Sequence, residues 1–313
     1  MPTVPEGLKT TPTLVWDLTS DRRGQQRIET TYTADGIGWN VDYTLVLDEA
    51  EKTLDLDSWV NLTNESGKAY DNAELKLVAG EVKRVGSGND QPRPMMLRAG
   101  VAEDSRGPQR ENLSDYHLYD FPGTVSIGDK ETLQLDFRSV DGVAVGKQYV
   151  SVASVPVHQS REPQSSRFDI RLNFDNLKGS SPGEPLPAGR VRVMKAGSDG
   201  NLQLLGEDRI EHTPVGETVN LVIGKAFDLG IERTQKDWRR ITNEMSEVTV
   251  EVAVTNSKRG EAHLIIREKF FGDWEVISQT ASGRKIDSTT LEFALDLDGG
   301  ESRTFNYTVR ATR

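Results

Sequence analysis

The chain has 313 residues, with 38 lysines and arginines against 49 aspartates and glutamates, a net charge of −11, and no cysteine. The missing cysteine excludes disulfides, thiolate metal sites, iron–sulfur clusters and cysteine nucleophiles. The acidic balance argues against nucleic acid, whose phosphates are held mostly by lysine and arginine. Length points to about two domains, the first thirteen residues hold no signal-like apolar run, and no stretch reaches the ~18 apolar residues of a membrane span.

Apolar residues recur at alternate positions along most of the chain, as they do when successive side chains point to opposite faces of a half-buried sheet. Runs at 41–47, 54–62 and 73–82 are predicted strands. A glycine- and proline-marked stretch at 86–112 reads as a long loop, a length that in a compact unit points to function or to local mobility. Leu133, Leu135 and Phe137 then alternate with Gln134, Asp136 and Arg138. The polar stretch 156–167 is the expected boundary between two domains, 1–160 with the long loop and 161–313. Beyond it Phe168, Ile170, Leu172 and Phe174 alternate with polar residues, and 178–189, with Pro182, Pro185 and Pro187, reads as a turn. Strands follow at 191–194 and 219–223, in the Val248, Val250, Val252, Val254 series, and at 264–271, 291–297 and 304–309. Only 234–245, carrying Trp238 and Ile241, fits a short helix. The predicted fold is all-β: two antiparallel β-sandwich domains, the second immunoglobulin-like. Val60-Asn61-Leu62-Thr63-Asn64-Glu65-Ser66 is echoed by Val252-Ala253-Val254-Thr255-Asn256-Ser257, each a strand running into a polar turn, which fits two related sandwiches.

Several longer strings occur together: Gly36-Ile37-Gly38-Trp39-Asn40-Val41-Asp42-Tyr43, Leu62-Thr63-Asn64-Glu65-Ser66-Gly67 and Tyr116-His117-Leu118-Tyr119 in the first half. The second half adds Leu186-Pro187-Ala188-Gly189-Arg190-Val191-Arg192-Val193, Gly206-Glu207-Asp208-Arg209-Ile210-Glu211-His212-Thr213-Pro214 and Gly272-Asp273-Trp274-Glu275-Val276. In this order they resemble the bacterial family called domain of unknown function 4139, which includes proteins similar to mucoidy inhibitor A. The resemblance implies an exported all-β protein, periplasmic or extracellular, with a signal peptide and an N-terminal β region ahead of the part seen here. This chain departs by lacking both, which implies a fragment whose absent N-terminal region contacts it. The resemblance supplies no catalytic residue.

Chemistry-bearing residues are sparse. The four histidines are His117, His158, His212 and His263, and the closest two are 41 positions apart, so a zinc site would have to be assembled across distant strands. Hydrolase, phosphate-loop and dinucleotide signatures are absent from the sequence. Asp208 and His212 form an acid–base pair only if a turn separates them, since on one strand their Cα atoms stand about 13 Å apart. His117, between Tyr116 and Tyr119 after the long loop, is placed for binding or chemistry, or else is a structural histidine beside packed tyrosines. The pairs Asp55/Asp57 and Asp296/Asp298, the latter near Glu301, suggest calcium, or simply the wet faces of strands; no other cofactor or metal is expected. Asp55, Asp57, Trp59 and Asn61 share the polar face of one strand, where an indole could stack on a sugar ring whose hydroxyls the neighbours bind; the alternative is that Trp59 is covered by the long loop or the N-terminal region. Trp16, Trp39 and Trp274 are expected in core or interdomain packing, with Trp238 open.

The functional expectation is an exported, non-enzymatic binding or scaffolding module with a polysaccharide or protein partner. The alternatives are a hydrolase of an extracellular polymer or ester, with its site near the long loop, and a cell-surface assembly subunit.

Overall fold

A computed structural model describes residues 13, 15–21, 23–80, 109–113, 116–160, 162–177 and 182–312, with the backbone alone for 109–113 and Tyr116. Most of the loop expected at 86–112 lies outside the described residues. The fold is all-β, with labels in chain order. One sheet has five strands, in the order β10 (Leu202–Ile210), β9 (Gly189–Ala196), β1 (Ile37–Leu47), β2 (Thr53–Asn64), β6 (Glu131–Ala144). A second has three: β3 (Tyr70–Ala79), β5 (Tyr116–Ile127), β4 (Gln109–Leu113). The third has nine, in the order β14 (Trp274–Gln279), β17 (Ser302–Thr312), β12 (Met245–Asn256), β11 (Thr218–Arg240), β8 (Gln164–Asp175), β7 (Gly146–Ser154), β13 (Ala262–Lys269), β16 (Thr290–Leu297), β15 (Gly283–Lys285).

Alternation decides which face each strand buries. In β2, Leu54, Leu56, Val60 and Leu62 point into a core that also takes Val41, Tyr43 and Leu45 of β1, Leu75 and Leu77 of β3, and Tyr119 and Phe121 of β5. The same core holds Val191 and Val193 of β9, Leu172 and Phe174 of β8, and Leu221 of β11. A second core gathers Phe168 of β8, Leu229 and Ile231 of β11, Val250 and Val252 of β12, Phe293 of β16, and Phe305 and Tyr307 of β17. Phe293 lies 4.7 Å from Phe305 and 5.4 Å from Tyr307, so the two arms of the nine-stranded sheet face one another. β14 and β15, neighbours in the chain, occupy its opposite edges.

Each core draws on residues from both sides of position 160. Ile170 of β8 packs against both, between Phe168 below and Leu172 above. Among the described residues the strand pairings are antiparallel, except that β1 runs parallel to β9 and β13 parallel to β7. Both parallel pairs join different halves of the sequence. Close approach falls on glycines: a Cβ on Gly189, at the β1–β9 join, would stand 2.3 Å from the Val41 carbonyl oxygen, and one on Gly206, where β10 packs on β11, 1.9 Å from that of Ile223.

The helix expected at 234–245 is instead the end of β11 and a turn into β12. Trp238 pairs with Val248, and a bulge between Gln235 and Asp237 breaks the period of two. Trp238 near the end of the strand and Ile241 in the turn after it stand three apart, a spacing that imitates a helical face.

The repeated Thr-Asn turn is a structural repeat. Asn64 and Asn256 are fully buried. The Asn64 Nδ2 donates to the carbonyls of Lys68 (2.7 Å) and Gly128 (2.8 Å), while its Oδ1 accepts from the Ser66 amide (3.1 Å). The Asn256 Nδ2 donates to Gly260 (3.0 Å), Leu297 (3.1 Å) and Asp298 (3.0 Å), and its Oδ1 accepts from the Lys258 amide (3.0 Å). In both turns a glutamate closes the facing loop: Glu131 accepts from the Gly128 amide, and Glu301 from that of Asp298. Asn176, after β8, is a third such corner, donating to Glu184 (2.7 Å), Thr213 (3.4 Å) and Pro214 (3.2 Å).

Candidate binding face

The outer face of the five-stranded sheet carries a polar surface with one indole in it. Since Leu56, Val60 and Leu62 point inward, Asp55, Asp57, Trp59 and Asn61 point outward. Register sets their neighbours: Trp59 lies between Asp42 of β1 and Asp136 of β6, and Asp42 lies beside Arg190 of β9. Arg190 grips Asp42 with two hydrogen bonds of 3.1 Å. The Asn61 Nδ2 donates to Asn40 and to Asp42, both at 3.1 Å, and Gln134 Nε2 donates to Asn61 Oδ1 at 3.2 Å. Burial alone would raise the Asp42 carboxyl, but the hydrogen bonds from Arg190 and Asn61, with the charges of Arg190 and Arg192, outweigh it and hold it below the usual carboxylate range.

Trp59 is half-buried, and among the described residues its indole N–H makes no hydrogen bond. Two other strand tryptophans differ: Trp238 donates to the Val157 carbonyl (3.0 Å) and Trp274 to that of Ser288 (2.7 Å), with their rings against the second core. Trp39 packs against the first core. Trp16, expected in packing, is 54% exposed on a segment without secondary structure, whose other apolar residues, Val15 and Leu18, are exposed as well.

Asp55 and Asp57 precede Trp59 on the same face of its strand. Asp55 accepts from the Gly142 amide (2.9 Å) and Asp57 from the Ser139 hydroxyl (2.6 Å), so each fastens β2 to β6. Asp296 bonds His263 across β13 and β16, away from Asp298, whose amide is held by Glu301. Among the described residues no three histidines, aspartates or glutamates gather in a metal-holding group.

The histidine group lies elsewhere. His117 sits on β5, half-buried, opposite Ala79 of β3 and Asn112 of β4. Tyr119 is a core residue: its hydroxyl donates to the Pro185 carbonyl (3.0 Å) and its ring meets Phe137 edge-on at 5.2 Å. The Tyr116 backbone pairs with Leu113, and its side chain lies outside the described residues. Tyr119 thus faces the first core from one sheet, while Trp59 faces outward from another, so the two groups do not converge. Asp208 and His212 have separate duties: Asp208 accepts from the Val222 amide (2.6 Å) and His212 Nδ1 from the Ala188 amide (3.1 Å).

A buried charge network escaped the sequence reading. Arg233 of β11 donates from Nε to Glu268 Oε1 of β13 (2.7 Å) and from Nη2 to the Ser151 hydroxyl of β7 (3.0 Å), and the Tyr307 hydroxyl donates to Glu268 Oε2 (3.2 Å). Burial pushes the Glu268 carboxyl up against the opposing pull of Arg233 and Tyr307. The signal was present: Arg233 continues Leu229 and Ile231, and Glu268 continues Leu264 and Ile266, on the inward face.

No family model matches the chain, and no curated protein matches it. The site must therefore be read from its own geometry. A sheet face with one unspent indole, beside fixed amides, carboxylates and arginines, can stack an apolar ring face and bond polar groups at its edge.

Proposed function

We propose that the chain is an exported, non-enzymatic binding module that holds a carbohydrate polymer on the outer face of its five-stranded sheet, with Trp59 as the stacking platform. The carrying observation is the half-buried Trp59 ring on an outward face with its N–H unpaired; the Trp39 N–H is unpaired too but its ring packs against the first core, and Trp238 and Trp274 spend theirs on backbone carbonyls. A pyranose has an apolar ring face and a polar rim, which suits an indole flanked by Asn61, Asp57, Asp42 and Arg190. Five strands at about 4.8 Å spacing give a platform about 19 Å across, room for more than one sugar. The resemblance to the exported family supports the location, and the absence of catalytic signatures supports binding over turnover.

The test is calorimetric titration of the wild type and Trp59→Ala with hexasaccharides of glucose, of N-acetylglucosamine and of a uronic acid. At least one should bind the wild type, and Trp59→Ala should weaken it by about tenfold or more, as loss of a central aromatic anchor does. Equal binding by both proteins, or none by either, refutes the proposal.

A further inference from the structure

The outer face of the five-stranded sheet is charged unevenly. Arg209 of β10 stands directly opposite Arg190 of β9, Arg190 beside Asp42 of β1, Asp42 beside Trp59 of β2, and Trp59 beside Asp136 of β6, so one row crosses all five strands. Paired residues point to the same side of a sheet, and Val191, next to Arg190, is buried in the first core, so this row points outward. At the ~4.8 Å spacing of strands, the backbones of Asp42 and Asp136 lie about 5 Å to either side of that of Trp59, with Arg190 about 10 Å away and Arg209 about 14 Å.

The basic end of the row is not neutralised. Arg190 spends Nε and Nη2 on Asp42, and its Nη1 has no partner among the described residues. Arg192, which stands 3.9 Å from the same Asp42 oxygen, spends Nε on Glu207 at 2.9 Å. The Arg209 guanidinium is exposed and makes no hydrogen bond or ion pair among the described residues, Glu211 just past the end of β10 included. Like charges directly opposite on neighbouring strands repel, and Asp42 offsets only one of the two. The Arg190–Arg209 pair therefore presents spare guanidinium edges to a carboxylate, in a chain whose net charge is −11. Beside Trp59 the sign is reversed, since Asp42 and Asp136 on either side disfavour an acidic group there.

We propose that the polymer held on this face is an acidic one of mixed units, with a neutral sugar stacked on Trp59 and the carboxylate of a unit further along the chain taken by Arg190 Nη1 and Arg209. This rests on the reading of Trp59 as a stacking platform, and adds to it the charge of the ligand and its course, across the strands from β2 toward β10.

The probes are three hexasaccharides, titrated calorimetrically into the whole chain: one alternating a uronic acid with an N-acetylated hexosamine, the same chain with its carboxyls reduced to alcohols, and one of uronic acid alone. The alternating chain should bind most tightly. Arg209→Gln should weaken it by about two- to fivefold, the range of an exposed ion pair, and leave the reduced chain unchanged, with the loss shrinking in high salt. Arg209 has no side-chain partner to strand, so this variant should fold as the wild type does. Arg240→Gln, the same loss of charge on the exposed end of β11, should change the binding of neither. Equal or tighter binding of the reduced chain or of uronic acid alone, indifference to Arg209→Gln, or an equal effect of Arg240→Gln each overturns the proposal. If the reduced chain still binds and needs Trp59, the platform stands without its charge preference; if no sugar binds, both readings fall.

Discussion

Replacing Asn256 by alanine removes a side chain that ties three loops together. Its Nδ2 serves the carbonyls of Gly260, Leu297 and Asp298, and its Oδ1 holds the Lys258 amide, all at 3.0–3.1 Å and with the residue fully buried. Two amide hydrogens shared among three carbonyls, with one accepted bond, amount to about three hydrogen bonds at ~1 kcal/mol each, and the stranded buried groups bring the cost to about 3–4 kcal/mol. Asn256→Asp should cost more, because it turns a carboxylate oxygen toward those three carbonyls. Asn64, which donates to two carbonyls and accepts from both the amide and the hydroxyl of Ser66, should cost about as much. Asn176 should cost about 1 kcal/mol less, since its Oδ1 is already buried without a partner and its loss relieves an unsatisfied acceptor. Urea unfolding followed by tryptophan fluorescence measures all four, with Trp238 and Trp274 reporting the second core and Trp39 the first. A cost below about 1 kcal/mol for Asn256→Ala, or a larger cost for Asn176→Ala, would refute the reasoning.

Glu268→Leu alone leaves Arg233 buried and uncompensated and should cost about 3–5 kcal/mol, whereas the double change with Arg233→Met should recover most of that, a coupling that a double-mutant cycle in urea reads directly. At Asp42 the folded carboxyl sits below its ordinary value, so its stabilisation is present above the unfolded aspartate pKa of about 3.9 and is lost as pH falls through the lower folded value. Asp42→Asn should therefore be less stable than wild type at pH 7, and the difference should close in strong acid; a gap that widens with acidity contradicts this sign.

Local alternation made β1, β2, β3, β6, β8, β9, β11, β12, β13, β16 and β17 legible, because burying one face of a sheet forces a period of two that neighbouring residues display by themselves, while β4, β5, β7, β10, β14 and β15 were not read from the sequence. It also placed Trp59, Asp55 and Asp57 on an outward face, where they stand. What alternation does not carry is partner choice. The pairing of β1 with β9 spans about half the chain and runs parallel, so no turn residue announces it, and the passage of β8 from one core to the other at Ile170 leaves the pattern unbroken. Arg233 and Glu268 hold inward positions that a polarity rule assigns to solvent, and only the continued spacing from Ile231 and Ile266 marks them as buried. The Asn64 and Asn256 corners were visible as an echo because Thr precedes both, while Asn176 follows Asp175 and so broke the match. Tyr119 shares a string with His117, but its hydroxyl is spent on Pro185.

The most direct measurement is a nitrogen–proton correlation spectrum of the five tryptophan indoles during titration with the binding hexasaccharide, the Trp59 signal being assigned by Trp59→Phe. Stacking on the sheet face should move the Trp59 indole signal progressively while those of Trp238 and Trp274, bonded to Val157 and Ser288, stay in place. A still Trp59 signal beside moving Trp238 or Trp274 signals would place the ligand elsewhere and contradict the assignment of this face.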